Sequence, residues 1–376
     1  MLFDERPKDS PVDLFNRESE IQQFKEAISL KRPLIVISGH RRVGKTSLLK
    51  TTLNMNVRYS IFIDLRSLAS SRYVAREDLI NLIQSSLQAF LDKNKPIFDK
   101  IKESLRSVRG VTFGEFSIEL EHKADKELDL NGLFSRLNEW AQQNDKLIIL
   151  AVDEAQEFRK SQHLDMSALL AYIYDNCKNI ITVLTGSEVG LLHEFIGKED
   201  PKAKLYGRSH EEIKLEPLGR EKSKEFLIKG FEQYNLGIEK TPLAVTAIGT
   251  AAEVLGGVLG WLIKFGIKCV QRKLVHADII PEIIEEGAKL AKDEFEKFLQ
   301  SREASDRYVS IMEAIATNPA SWKTIKLSVE RKLGKRIYNK NLSDLLDTLG
   351  KSGFIAKIGD EYRVTDPLLR AAFKER

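Results

Sequence analysis

A parallel α/β sheet followed by an all-helical domain and a winged helix is the fold class the sequence predicts, and three observations carry it. Near-continuous apolar, β-branched runs alternate with helical patterns up to residue 218, as strands covered by helices on both faces require. A glycine-rich turn stands where the first of these runs gives way to a helix. Beyond Pro217 the runs stop, helices follow one another, and a basic tail ends in a hairpin pattern.

Taken in order, DLFNRESEIQQFKEAISL predicts a helix over about 17–29, because Ile21, Phe24, Ala27 and Ile28 recur at helical spacing. Buried strands are expected at 33–37 (PLIVI), 59–65 (YSIFIDL), 146–152 (KLIILAV), 179–185 (NIITVLT) and 212–218 (EIKLEPL). An insertion at about 94–127 interrupts them: VTFGEFSIELE alternates like an exposed hairpin, EHKADKELD reads as a charged loop, and the helix LNGLFSRLNEWAQQ bounds it. Residues 220–300 read as helices punctuated by Gly230, Gly237, Pro242, Gly256-Gly257 and Pro281. Then SDRYVSIMEAIAT, WKTIKLSVERKLG and YNKNLSDLLDTLGKSG give three helices, and FIAKIGDEYRVTD a two-stranded hairpin turning at Gly359-Asp360. The expected domains are a core over 1–216, a helical domain over 217–300 and a winged helix over 301–376.

Composition narrows the class. The chain has 376 residues, 42% hydrophobic and 30% charged, as a globular protein has. Its longest apolar runs are too short to span a bilayer, so no membrane partner is expected. The start, MLFDERPKDSP, shows no signal-peptide pattern. Two cysteines in unrelated contexts, Cys177 and Cys269, fit a reducing cytoplasm and argue against disulfides or a cysteine zinc site. Net charge is +4, yet residues 301–376 hold 15 Lys and Arg against 10 Asp and Glu. The basic excess therefore belongs to the tail.

Gly39-His40-Arg41-Arg42-Val43-Gly44-Lys45-Thr46-Ser47 fits the phosphate-loop pattern GxxxxGK[ST] at every fixed position. The glycines let main-chain amides turn inward on phosphate oxygens, and the following helix presents bare N–H groups at its positive end. Lys45 would neutralise β- and γ-phosphates, and the Thr46 hydroxyl would be a magnesium ligand. In LIILAVDEAQEF, Asp153 and Glu154 stand at the carboxyl end of a strand, where ligands of open α/β sheets bind. Asp153 is expected to hold the magnesium and Glu154 to polarise the attacking water, unless the pair only opens a solvated helix. Ser187, after the next strand, either hydrogen-bonds the γ-phosphate or the water, or caps a helix. Arg208, in KLYGRSHEEIKL, either reaches a γ-phosphate in its own or a neighbour's site or anchors a surface loop.

With LFNRESEI, GHRRVGKTSLL, VDEAQEF, VLTGSEVGLL, LYGRS and GGVLGWL in view, the chain resembles the archaeal P-loop ATPases of the AAA-related STAND class. The resemblance covers nearly the whole chain, and the double arginine Arg41-Arg42 inside the phosphate loop is a fairly specific mark of the group. It implies an AAA-like P-loop NTPase core, a helical lid, slow magnesium-dependent ATP hydrolysis, and ATP/ADP with Mg2+ as ligands. ATP would close the lid and winged helix over the core, and hydrolysis would release them. Phe15, Asn16 and Arg17 are implied near adenine and ribose. Leu259 stands where the class usually carries a proline folded against the nucleotide, and Trp261 and Leu262 beside it read equally as core.

The tail leaves two partners open. As a DNA module it would place its third helix in the major groove, with Lys335, Arg336, Lys340 and Lys351 flanking that helix and Lys357 and Arg363 on the wing. Yet NLSDLLDTLG carries Asp344 and Asp347, and in STAND proteins such modules also serve as intramolecular clamps; an oligomer in the ATP state is also compatible. The alternative function is a DNA-binding ATPase similar to archaeal replication initiators. Their lid normally offers an arginine to the γ-phosphate, and only Lys264, Lys268 and Arg272 stand nearby here. A small-molecule kinase lacks an acceptor site in 220–376, and a simple repressor would leave the first 216 residues idle.

Overall fold

The computed structural model describes residues 1–69, 71–121, 128–236, 241–300 and 302–374. Most of the charged loop EHKADKELD and Gly237 lie outside the described residues.

The core contains α1 (Glu18–Ser29), β1 (Leu34–Ser38), α2 (Lys45–Asn56), β2 (Ser60–Asp64), α3 (Arg76–Lys93), α4 (Phe98–Leu105), β3 (Val111–Phe113), β4 (Ile118–Leu120), α5 (Leu130–Gln143), β5 (Ile148–Asp153), α6 (Met166–Asn176), β6 (Ile180–Gly186), α7 (Val189–Phe195) and β7 (Glu211–Lys214). Its main sheet has the order β2-β5-β6-β1-β7, all parallel. Strand alternation sends Leu34, Val36, Leu150 and Val152 to one hydrophobic face and Ile35, Ile37, Ile149 and Ala151 to the other. This explains why β1, β5 and β6 are buried along their whole length. The parallel register sets Ser38 opposite Gly186 and Asp64 opposite Asp153, so these strand ends share one edge of the sheet. β3 and β4 form the expected hairpin in the insertion.

The helical region consists of α8 (Arg220–Gln233), α9 (Pro242–Val254), α10 (Leu259–Arg272) and α11 (Ile279–Gln300). Phe3, from the chain start, fills its centre. A Cβ on Gly230 or Gly266 would lie 2.2 or 2.5 Å from that ring. The tail contains α12 (Ser305–Ala316), β8 (Ala320–Ser321), α13 (Trp322–Leu333), α14 (Asn339–Lys351), β9 (Ile355–Ile358), β10 (Glu361–Val364) and α15 (Pro367–Phe373). It is a winged helix, as expected, but β8 adds a third antiparallel strand to the hairpin. Ala291 and Phe295 of α11 belong to the winged-helix core. Leu368 of α15 reaches back into the helical region's core.

Candidate functional site

The turn from β1 into α2 requires its glycines. A Cβ on Gly39 would lie 2.5 Å from the Leu215 carbonyl oxygen, and Gly44 stands at φ +98° as the residue before α2. Lys45 is buried, and its Nζ donates to the His40 carbonyl at 2.7 Å, folding the side chain over its own loop. Burial pushes its pKa down to about 8; the charge of Glu154 opposes that shift and the charge of Arg41 adds to it.

Across the sheet edge, Thr46 Oγ1 donates to Asp153 Oδ2 at 2.8 Å. The other oxygen of Asp153 accepts from the Thr185 hydroxyl, which itself accepts from the Glu154 amide at 3.2 Å. Asp153 is fully buried, and burial raises its pKa against those hydrogen bonds. Glu154 stands at φ +57°, a left-handed conformation uncommon for its residue type. One of its oxygens, Oε2, accepts from Gln156 Nε2 at 2.6 Å, the Ser187 amide at 3.0 Å and Ser187 Oγ at 2.6 Å. Burial would raise its pKa, but Lys45 and these donors outweigh it and hold the group ionised below its usual range.

Magnesium fits the donor set. A hydroxyl and a carboxylate, both oxygen, are what this hard cation takes, with the remaining positions left to phosphate and water. Among the described residues no group of three or more His, Cys, Asp or Glu side chains is placed to hold a metal ion.

The double arginine faces the C-terminal regions. Arg41 is paired with Glu188 at 2.5 Å, donates to the Ser352 carbonyl at 3.4 Å and lies over the Phe354 ring. Arg42 grips both oxygens of Glu294, stacks 4.2 Å from the Trp261 ring centre and stands 3.8 Å from Asp366. Trp261 donates to that same Asp366. The phosphate loop thus touches α10, α11 and the winged helix at once. Close contacts complete the dock: a Cβ on Gly190 would lie 2.4 Å from Lys351 Cα, and one on Gly353 3.3 Å from the Ser187 carbonyl.

The other expected residues separate into those near the loop and those away from it. Leu259 lies over Gly44, 3.5 Å from where a Cβ would stand. Arg17 is buried behind the loop, donating to the carbonyls of Val43 and Glu216, so it braces main chain. The Ser47 hydroxyl accepts from the Lys8 amide at 3.0 Å. Phe15 packs edge-on against Phe226 and, with Asn16, lines a second cavity of about 870 Å³ beside α8. Arg208 shows the contacts of a loop anchor. It grips Asp175 with two nitrogens and does not line the 860 Å³ cavity at the phosphate loop. Ser187 is likewise committed to Glu154, and Lys351 is paired with Asp347 and Glu194, so both are taken up internally.

Several residues of this site were not anticipated. Gln156 is two positions beyond Glu154, and Gly186 leaves room for it: a Cβ there would lie 2.6 Å from Gln156 Oε1. Arg66 follows β2 in YSIFIDLR, and its place just past a strand's carboxyl end was a readable signal. Glu294 and Asp366 left no such signal, since only tertiary packing brings a residue 252 positions away to Arg42.

A family model described as an ATPase domain predominantly from Archaea matches residues 14–265. A second, described as the C-terminal winged helix-turn-helix domain of MCM proteins, matches residues 302–365. Among solved structures, the Walker-type ATPase of Pyrococcus abyssi is 33% identical, with 99% of each chain covered and a TM-score of 0.81. The ORC2 protein of Aeropyrum pernix, solved as ADPNP–ADP complexes, is 14% identical over 98% of this chain and 93% of its own, with a TM-score of 0.60. That second likeness concerns the fold alone. No curated protein matches.

Proposed function

The chain belongs to the family of ATPase domains found predominantly in Archaea, and from that premise we propose that it is a STAND-type switch in which ATP controls the docking of the winged helix. The amides of residues 39–46, with Lys45, would hold the triphosphate. Thr46 and Asp153 would hold magnesium, which when bound neutralises phosphate charge. Glu154 would take the proton of the attacking water, as its ionised state allows.

One observation carries this reading: the two arginines inside the phosphate loop are the same residues that hold Glu294, the Ser352 carbonyl and the neighbourhood of Asp366. A triphosphate brings several negative charges to that loop and competes with Glu188 and Glu294 for Arg41 and Arg42. The resemblance implied closure by ATP. Here the competition runs the other way, so ATP would loosen the dock and hydrolysis would restore it. Small-angle scattering tests this: ATP with magnesium should expand Glu154→Gln protein, and ADP should not. An unchanged profile with ATP demonstrably bound would contradict it.

A second reading, DNA binding, is favoured by the way the dock divides α14. Its carboxyl end meets α7 and the phosphate loop, while Tyr338, at its amino end, is 82% exposed. Lys335, Arg336 and Lys340 around it are exposed, as are Lys357 and Arg363 on the wing. Helix-turn-helix modules read bases with the amino end of this helix. Duplex binding that weakens steeply with salt and disappears when Lys335, Arg336 and Lys340 are neutralised would support it.

A further inference from the structure

Resting on that ATPase reading, we propose that Arg66 is the arginine that contacts the γ-phosphate in cis. Hydrolysis adds water to the γ-phosphorus, gives the water's proton to a base and breaks the bond to the bridging oxygen, whose electron pair leaves on ADP. Negative charge builds on the transferring group meanwhile, and a guanidinium placed there stabilises it.

Most of the other arginines and lysines that could serve are held elsewhere. Arg41 and Arg42 hold Glu188 and Glu294. Arg208 holds Asp175, Arg272 and Lys268 hold Glu282, and Lys264 lies 4.0 Å from Glu5; none of these four lines the phosphate-loop cavity. Of the other cations that line it, Arg159 is paired with Glu194, Lys160 with Glu157, Arg302 is stacked on Phe298 and Arg72 lies over Tyr73, while Lys297 stands on α11, away from the strand ends that carry Asp153.

Arg66 differs in position and in preparation. Residue 64 is the last of β2 and lies in register with Asp153, so the turn after it leaves the sheet beside the expected magnesium carboxylate. The Arg66 Nε stands 3.7 Å from Asp153 Oδ2, the same oxygen that accepts from Thr46. Asp64 holds the side chain in place: its carboxylate takes Nε at 2.8 Å, takes Nη2, and accepts the Arg66 amide at 3.1 Å. Among the described residues nothing takes Nη1. The guanidinium is thus fixed on one edge, free on another, and lines the cavity. Fixing a charged donor before the ligand arrives lowers the ordering cost of the contact.

The test compares Arg66→Ala and Arg66→Lys with wild type in two ways. In steady state, Arg66→Ala should lower kcat by roughly a hundredfold or more while ADP affinity stays within about threefold, and Arg66→Lys should recover part of the loss. In a Glu154→Gln background, where turnover is not needed, Arg66→Ala should lose the preference for ATP over ADP. Equal weakening of ATP and ADP, or unchanged kcat and preference, would overturn the proposal. If wild-type protein binds ATP but never hydrolyses it, the ATPase reading fails, and the preference in the binding assay still decides on Arg66.

Discussion

Ser187 donates twice to Glu154, from its amide at 3.0 Å and its hydroxyl at 2.6 Å, and both bonds end on the oxygen that Gln156 also occupies. The expected base is therefore anchored by the loop on which Gly353 of the winged helix rests. Release of that dock would free Ser187 to move. Removing one charge-assisted bond, worth about 1.5–3 kcal/mol, should shift the balance toward a free carboxylate. Gln156→Leu is expected to raise basal ATP turnover by about tenfold, while Glu154→Gln abolishes turnover and keeps ATP binding. A fall in turnover for Gln156→Leu would show that the residue assists the reaction instead.

The grip of Arg42 on Glu294, together with its stacking on Trp261, should contribute about 2 kcal/mol to the dock. Arg42→Ala is expected to expand the molecule without nucleotide and to speed proteolysis between α11 and α12. Intrinsic fluorescence should change with it, because Trp261 is fully buried and loses both its cation and its Asp366 acceptor. An unaltered scattering profile in Arg42→Ala would remove the arginine from any coupling role.

Lys45 carries a pH signature. Its ordinary value of 10.5 is pushed down to about 8, so between these values the folded chain holds fewer protons than the unfolded chain. Stability from this residue therefore rises as pH climbs from 8 to 10.5, with the burial cost of its charge fully present below pH 8. Nucleotide binding has the opposite preference, since phosphates need the ammonium form. ATP affinity should fall about tenfold per pH unit above about 8, and binding at about pH 9 should take up a proton. Calorimetry in buffers of different ionisation enthalpy measures that uptake. Lys45→Ala should lose both the pH slope and most of the affinity.

Strand alternation and the phosphate-loop spacing made the core legible, because each rests on local rules of period and turn geometry. The runs at 33–37, 146–152 and 179–185 became β1, β5 and β6 within two residues at each end. The rule that ligands bind at strand carboxyl ends also placed Thr46 and Asp153, 107 positions apart, near one another. Contacts between the core and the C-terminal regions were not legible. Arg41 and Arg42 read as phosphate ligands because their neighbours are, whereas Glu188, Glu294 and the Ser352 carbonyl claim them only in three dimensions. Arg208 is held by Asp175, and sequence spacing gave no sign of that partner. The short strand Ala320–Ser321 and the helix Pro367–Phe373 carry too few residues for a periodic signal.

Gly257 anchors the start of the helical region. It stands at φ +71°, accepts the Leu218 amide at 2.9 Å, and leaves no room, since a Cβ would lie 1.8 Å from the Leu218 carbonyl oxygen. Gly257→Ala should destabilise the chain by about 2 to 4 kcal/mol, seen as a lower melting temperature. Gly334→Ala, also at positive φ but with open space around it, should cost only about 1–2 kcal/mol. Equal losses would mean that backbone conformation alone, without the close approach, sets the effect.

The most direct test measures a distance. Spin labels at exposed Gln23→Cys on α1 and Ser328→Cys on α13 report the separation of core and winged helix, with the native Cys177 and Cys269 both buried. In a Glu154→Gln background, adding ATP with magnesium should lengthen that distance, ADP should leave it short, and Arg42→Ala should make it long with neither. A distance that stays short while ATP is bound would contradict the claim that the arginines of the phosphate loop hold the winged helix against it.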